Sequence, residues 1–166
     1  MAKKIMMVVP PNDFDGQVFE AVRRALEGRG HTVAVTSLGS NATADDGMSV
    51  RVNVPIRNVK SYDYDAFVFI GGEGARILFD DPQARSLAKD VKYKTVGATG
   101  NAAVILALSE VLTNKKATCP HEYALWLTRH GARFTNQPLE VDEKIITLQD
   151  SALAEQFANA VAKAVE

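Results

Sequence analysis

The sequence has few of the residues that most often announce a function. It holds one cysteine, Cys119, and three histidines, His31, His121 and His130. A single cysteine excludes an internal disulfide and fits a reducing compartment, so a cytoplasmic location is expected. One cysteine and three histidines are too few for a Cys-rich structural zinc site, and no metal or cofactor is expected. An excess of either charge is missing too. Lys plus Arg number 19 and Asp plus Glu 20, which leaves a net charge of −1. Such a chain has no electrostatic reason to coat a phosphate backbone, so nucleic acid is not an expected partner. Long apolar runs are absent: the longest covers residues 102–108, whereas a membrane-spanning helix needs ~20 such residues. The apolar stretch at 5–11 is too short and wrongly flanked for a signal peptide. No linker, repeat or low-complexity segment interrupts the chain.

What is present is an ordinary globular composition. With 166 residues, 46% hydrophobic and 23% charged, the chain is expected to form one domain over 1–166 with one core. Short apolar runs alternate with helical patterns. Residues 5–9 read as a buried strand followed by the turn-prone Pro10-Pro11-Asn12-Asp13. Val18, Ala21, Val22, Ala25 and Leu26 then mark one apolar helix face, ended by Gly28 and Gly30. A β-branched strand follows at 32–36. Residues 39–48 read as a polar surface loop, and Val50, Val52 and Val54 as a short half-exposed strand or hairpin. Residues 66–70 are a buried strand ending in Gly71-Gly72. Asp81-Pro82 opens a helix to about Val91 as N-cap and N1 proline. A strand at 95–98 leads into an apolar helix at 101–112. A brief strand at 117–119, a helix at 122–130 stopped by Gly131, a strand at 144–148 and a closing helix bearing Leu153, Phe157 and Val161 complete the pattern. Asp150 or Ser151 is the expected cap of that last helix. This alternation predicts an α/β fold with a mostly parallel sheet covered on both faces. Ligands of such folds bind beyond the carboxyl ends of the strands. Four segments should meet there: 10–15, 71–75, 99–102 and 119–122.

Each segment offers a chemical reading and a plainer one. The glycines of Gly71-Gly72-Glu73-Gly74 let backbone N–H groups face an anion or oxyanion, or simply form a tight turn. Thr99-Gly100-Asn101 occupies the strand-to-helix turn where a nucleophile elbow sits in α/β enzymes, but its central residue has no side chain. Cys119 and His121 could form a thiol–imidazole pair, or Cys119 could be a small core residue. Asp15, with Asp13 beside it, supplies an acid/base carboxylate or caps the next helix.

At this point the sequence resembles the ThiJ/PfpI superfamily, which includes the intracellular protease PfpI and the Parkinson-disease deglycase. The resemblance is carried by Asn12-Asp13-Phe14-Asp15, Gly30-His31-Thr32-Val33, the string from Tyr64 through Phe67 to Gly72, Lys115-Lys116-Ala117-Thr118 and Ile145-Ile146-Thr147. It covers nearly the whole chain, and the string ending in Gly71-Gly72 is its most specific part. It implies a flavodoxin-like three-layer α/β/α sandwich and a homodimer or larger assembly. It also implies a site built from an elbow cysteine, a glutamate after the first strand, and amides of the Gly-Gly turn and elbow that hold an oxyanion. Carried over by position, the glutamate falls on Asp15, the amides on Gly71, Gly72, Gly100 and Asn101, and the cysteine on Gly100. The Gly-Pro that follows the cysteine falls on Ala102-Ala103. The family's late Arg-Gly-Pro-like string is replaced around Thr147-Leu148-Gln149-Asp150.

The departures concentrate on one site, and two readings follow. In the first, the chain has lost the family's cysteine chemistry and is a small-anion-binding or regulatory module for a small carbonyl- or carboxylate-containing molecule. In the second, it is a cysteine-dependent enzyme on small carbonyl or acyl substrates. Cys119 is then the relocated nucleophile, His121 its base, Asp15 an acid/base group, and the Gly72 and Gly100 amides the oxyanion donors. The second reading requires an accessible Cys119 of lowered pKa with the His121 ring in hydrogen-bond reach.

Overall fold

The N-terminal apolar run forms β1 (Lys4–Val8). The computed structural model describes residues 2–166. In chain order there follow β2 (Asn12–Phe14), α1 (Gly16–Gly28), β3 (Thr32–Ser37), β4 (Asn41–Ala44), β5 (Ser49–Arg51) and β6 (Val54–Pro55). The central portion adds β7 (Ala66–Phe69), α2 (Arg76–Phe79), α3 (Pro82–Asp90), β8 (Thr95–Thr99) and α4 (Ala103–Leu108). The chain closes with β9 (Lys116–Ala117), α5 (Ala124–Arg129), β10 (Arg133–Phe134), β11 (Leu139–Asp142), β12 (Ile145–Leu148) and α6 (Ala154–Val165).

Seven strands form one sheet in the order β11-β12-β8-β7-β1-β3-β6, and only the β11–β12 pair is antiparallel. Successive strand residues point to opposite faces, and the core divides accordingly. Met6, Val8, Phe67, Phe69 and Val96 pack under α3, α4 and α5. Ile5, Met7, Val68, Ile70 and Ile146 pack under α1 and α6. The result is the expected three-layer, flavodoxin-like sandwich. Gly97 lets α6 lie directly on β8, since a Cβ there would stand 2.7 Å from the Phe157 ring.

Local chemistry sets the helix starts. Asp15 accepts the Val18 N–H at 3.1 Å and caps α1. Asp81 accepts the Ala84 N–H at 2.8 Å with Pro82 at the first helical position. Asp150 accepts the Ala152 N–H at 3.0 Å and opens the turn that leads into α6.

Three expectations need correction, and one strand is unexpected. Residues 39–48 are not simply a loop: β4 forms an antiparallel hairpin with β5, and both join β2 in a small second sheet. Ala42, Ala44 and Val50 turn inward against Phe14, but the small alanines between polar residues hide the alternation. The helix expected at 101–112 is shorter. A 3-10 turn over Gly100–Ala102 precedes α4, and Glu110 takes a positive φ of 64° two residues past its end. The 117–119 strand shrinks to β9, which pairs with β10 outside the main sheet. The edge strand β11 was not foreseen, because its half-buried Leu139-Glu140-Val141-Asp142 carries little β-branched signal.

Candidate functional site

The carboxyl ends of β7 and β8 open into a cleft of about 270 Å³, where the parallel topology places ligands. Its walls include Asp15, Gly71, Gly72, Glu73, Thr99, Gly100, Asn101, Pro120, Glu122, Tyr123, Gln149 and Ser151. The four segments singled out in the sequence therefore do converge.

At the floor of the cleft, β8 ends and the chain turns sharply at Gly100, whose φ is +55°. A non-glycine residue pays roughly 1–2 kcal/mol for this left-handed conformation. A Cβ built on Gly100 would meet no atom within 4 Å. The turn thus keeps the backbone of an elbow and points an empty position into open space. On the opposite wall the glycines are enforced by crowding. A Cβ on Gly74 would lie 1.6 Å from the carbonyl oxygen of Asn12, and one on Gly71 would lie 2.5 Å from that of Thr99.

The amides of that wall are not free, which corrects the expectation that Gly71 and Gly72 present N–H groups to an anion. The Gly71 N–H donates to Thr99 Oγ1 at 3.0 Å. The Gly72 N–H donates to Asn101 Oδ1 at 3.0 Å, and Asn101 Nδ2 donates back to the Gly72 carbonyl at 3.0 Å. Asn101 thereby adds a second, two-point bridge between the two halves of the site, beside Thr99.

Cys119 and His121 do not join them. Cys119 is fully buried, and its Sγ donates to the Pro120 carbonyl at 3.3 Å. Burial, assisted by the negative charge of Glu122, pushes the thiol up to about 12. Loss of solvation disfavours the thiolate, the opposite of activation. His121 is exposed, and its ring packs edge-on against Phe134 with centroids 6.3 Å apart. Neither residue lines the cleft, although Pro120 and Glu122 do. The relocated pair is therefore not assembled: Cys119 is the small core residue of the plainer reading. Asp15 does reach the cleft while it caps α1, so both of its readings hold geometrically.

Sequence reasoning missed Glu73, Glu122, Tyr123, Gln149 and Ser151. Glu73 lay inside a segment read for its glycines, and Glu122 stood beside residues read for their thiol and imidazole. Their effect is electrostatic. Among the described residues, three carboxylates line the cleft and no Lys, Arg or His does. None of the three takes part in an ion pair among the described residues. Gln149 adds to the acceptors, because its Nε2 is engaged by the Cys119 carbonyl at 3.0 Å and Asn136 Oδ1 at 2.8 Å. Among the described residues, no group of three or more His, Cys, Asp or Glu side chains is placed to hold a metal ion. No helix there is long and apolar enough to cross a membrane.

Comparison with known proteins matches residues 3–164 to the DJ-1/PfpI family. The chain belongs to the DJ-1/PfpI family. An uncharacterized protein of Methanocaldococcus jannaschii is 32% identical over 98% of this chain and 82% of its own length. Among solved structures, a ThiJ/PfpI domain protein from Brachyspira murdochii superposes with a TM-score of 0.94 at 24% identity, covering 99% of this chain and 96% of that one. Drosophila melanogaster DJ-1beta gives a TM-score of 0.87 at 20% identity, over 100% of this chain and 92% of its own. At such identities the structures establish a shared fold and not a shared chemistry.

Proposed function

We propose that this DJ-1/PfpI family member binds a small polar molecule in the elbow cleft without forming a covalent bond to it, as a binding or regulatory module. The observation that carries the reading is Gly100, which keeps the left-handed elbow at φ +55° with no side chain to attack a substrate. Among the described residues, the cleft walls supply no Cys, His or Lys in its place. General acid–base assistance by the remaining carboxylates contributes only ~10²–10⁴-fold, too little to replace a nucleophile.

The ligand class follows from the walls. The small-anion expectation rested on the amides of Gly71, Gly72, Gly100 and Asn101, and two of these, Gly71 and Gly72, already have acceptors. A ligand carboxylate ~6 Å from one wall carboxylate is opposed by about 2–3 kcal/mol at an effective dielectric of about 20, and by less at the exposed Glu73 and Glu122. A donor-rich molecule, above all a small primary ammonium compound, meets Asp15, Glu73 and Glu122 instead. Self-association belongs to the same proposal: Leu125 and Trp126 of α5 are 65% and 42% exposed and offer an apolar face beside the cleft.

The test is a thermal-shift and NMR titration of the wild-type protein with ethylammonium, acetamide and acetate. Ethylammonium is expected to raise Tm and to shift the amide resonances of the cleft. The effect should weaken with added salt and fall in Glu122→Gln. Acetate stabilising as well as ethylammonium, or turnover of a glyoxal or ester by the wild type, would overturn the reading.

A further inference from the structure

We propose that Asn101 is the residue that sets the specificity of the cleft, its carboxamide acting as a built-in occupant of the place where an external carbonyl oxygen would bind. The proposal rests on the reading of the cleft as a binding site and names what keeps one class of ligand out of it. Asn101 is only 6% exposed, yet it lines the cleft. Its Oδ1 accepts the Gly72 N–H and its Nδ2 donates to the Gly72 carbonyl, each at 3.0 Å. This two-point pairing with the N–H and C=O of one residue is the pattern that opposed residues of a strand pair make. Nδ2 also reaches Tyr123 Oη at 3.4 Å, which ties the carboxamide to the third wall.

A structural strut alone does not need this arrangement. The turn after β7 is already joined to the end of β8 by Gly71 N–H to Thr99 Oγ1, and to α1 by Asp15 N–H to the Gly71 carbonyl at 2.8 Å. What the carboxamide adds is occupancy. A Cβ on Gly71 would stand 2.8 Å from Asn101 Oδ1, so the wall is glycine where that oxygen approaches. The Gly72 N–H is one of the wall donors that a ligand carbonyl would seek, and it already holds an oxygen of the same chemistry. The acceptor-rich remainder of the cleft then faces any ligand that enters. An acceptor-type ligand is excluded from the Gly72 N–H while Asn101 is in place, and a donor-type ligand is not excluded from the carboxylates.

The experiment removes the side chain and offers it back. Acetamide is that side chain with a methyl in place of the methylene. ¹⁵N-labelled wild type and Asn101→Ala are titrated with acetamide and with ethylammonium, following the Gly72 and Gly100 amides. In the wild type the Gly72 amide should be protected from hydrogen exchange, and acetamide should leave it unmoved. In Asn101→Ala acetamide should shift it saturably, with affinity at least about ten-fold tighter than for the wild type, the size expected of a recovered hydrogen-bond pair. The preference between the two probes should invert with the substitution, a change that a merely structural role would not produce. Should Asn101→Ala fail to fold, Asn101→Ser, too short to reach Gly72, gives the same readout. An unprotected Gly72 amide in the wild type overturns the proposal, as does a variant that gains nothing for acetamide. Ethylammonium leaving every cleft amide unmoved in the wild type would instead overturn the reading of the cleft on which the proposal stands.

Discussion

Gly100→Cys, made in a Cys119→Ala background, is expected to take up one equivalent of a small alkylating reagent at neutral pH at least about 10²-fold faster than the native wild type does. The space for the introduced thiol exists, because a Cβ at this position meets no atom within 4 Å. The cost is conformational: roughly 1–2 kcal/mol for a non-glycine residue at φ +55°, which a folded domain tolerates. The gain follows from thiolate population and access. A thiol near its ordinary value of ~8.5 is a few per cent ionised at pH 7. The Cys119 thiol, at about 12, is ionised to about one part in 10⁵ at that pH and is shielded as well. Intact mass over time reads the difference. An introduced thiol as inert as Cys119 would mean that the elbow is closed, and the description of the cleft would be wrong.

The second large effect is on stability. Gly74→Ala is expected to destabilise the protein by about 3 kcal/mol or more, or to prevent folding. The added methyl would stand 1.6 Å from the Asn12 carbonyl oxygen, and its neighbour there is backbone rather than a yielding side chain. Relief requires β2 and the turn after β7 to separate. That movement strains the bond from Asp15 N–H to the Gly71 carbonyl, and with it the wall of the cleft. Chemical denaturation measures the loss. Gly28→Ala is the control, since a Cβ there meets nothing within 4 Å, and it should change stability by less than about 1 kcal/mol. Equal stability for the two variants would show that the close approach of Gly74 to Asn12 is not a feature of the folded protein.

The sheet was legible because its strands are buried on both faces and read as apolar runs: residues 5–9, 66–70 and 144–148 all lie in or at the ends of β1, β7 and β12. The caps at Asp15 and Asp81 were legible because their chemistry is local. The β4–β5 hairpin and the edge strand β11 were not, since a strand buried on one side only and built from alanine or mixed residues leaves a weak periodic signal. Within the site, the convergence of the four loops followed from topology. Which groups face inward did not. Cys119 and His121 stand two residues apart, but the chain between them turns through Pro120, so one side chain enters the core and the other enters solvent. The pairing of Asn101 with Gly72 joins positions 29 apart in sequence, and no local pattern announces it. The acidic character of the cleft comes from Asp15, Glu73 and Glu122, three positions scattered along a chain whose net charge is only −1.

The claim that the family's thiol chemistry has no seat in this protein is tested most directly by alkylating the native wild type across a range of pH and reading intact mass. Cys119 is the only thiol, so the label has one destination. The account predicts essentially no adduct from neutral pH to about pH 9, where an unperturbed thiol is already largely ionised. Within that range full labelling should come only on unfolding. Burial holds the proton on the thiol until pH approaches 12, so labelling of the folded protein should be confined to that alkaline limit. Rapid labelling with a midpoint at or below neutrality would contradict the account and return Cys119 to the role of nucleophile.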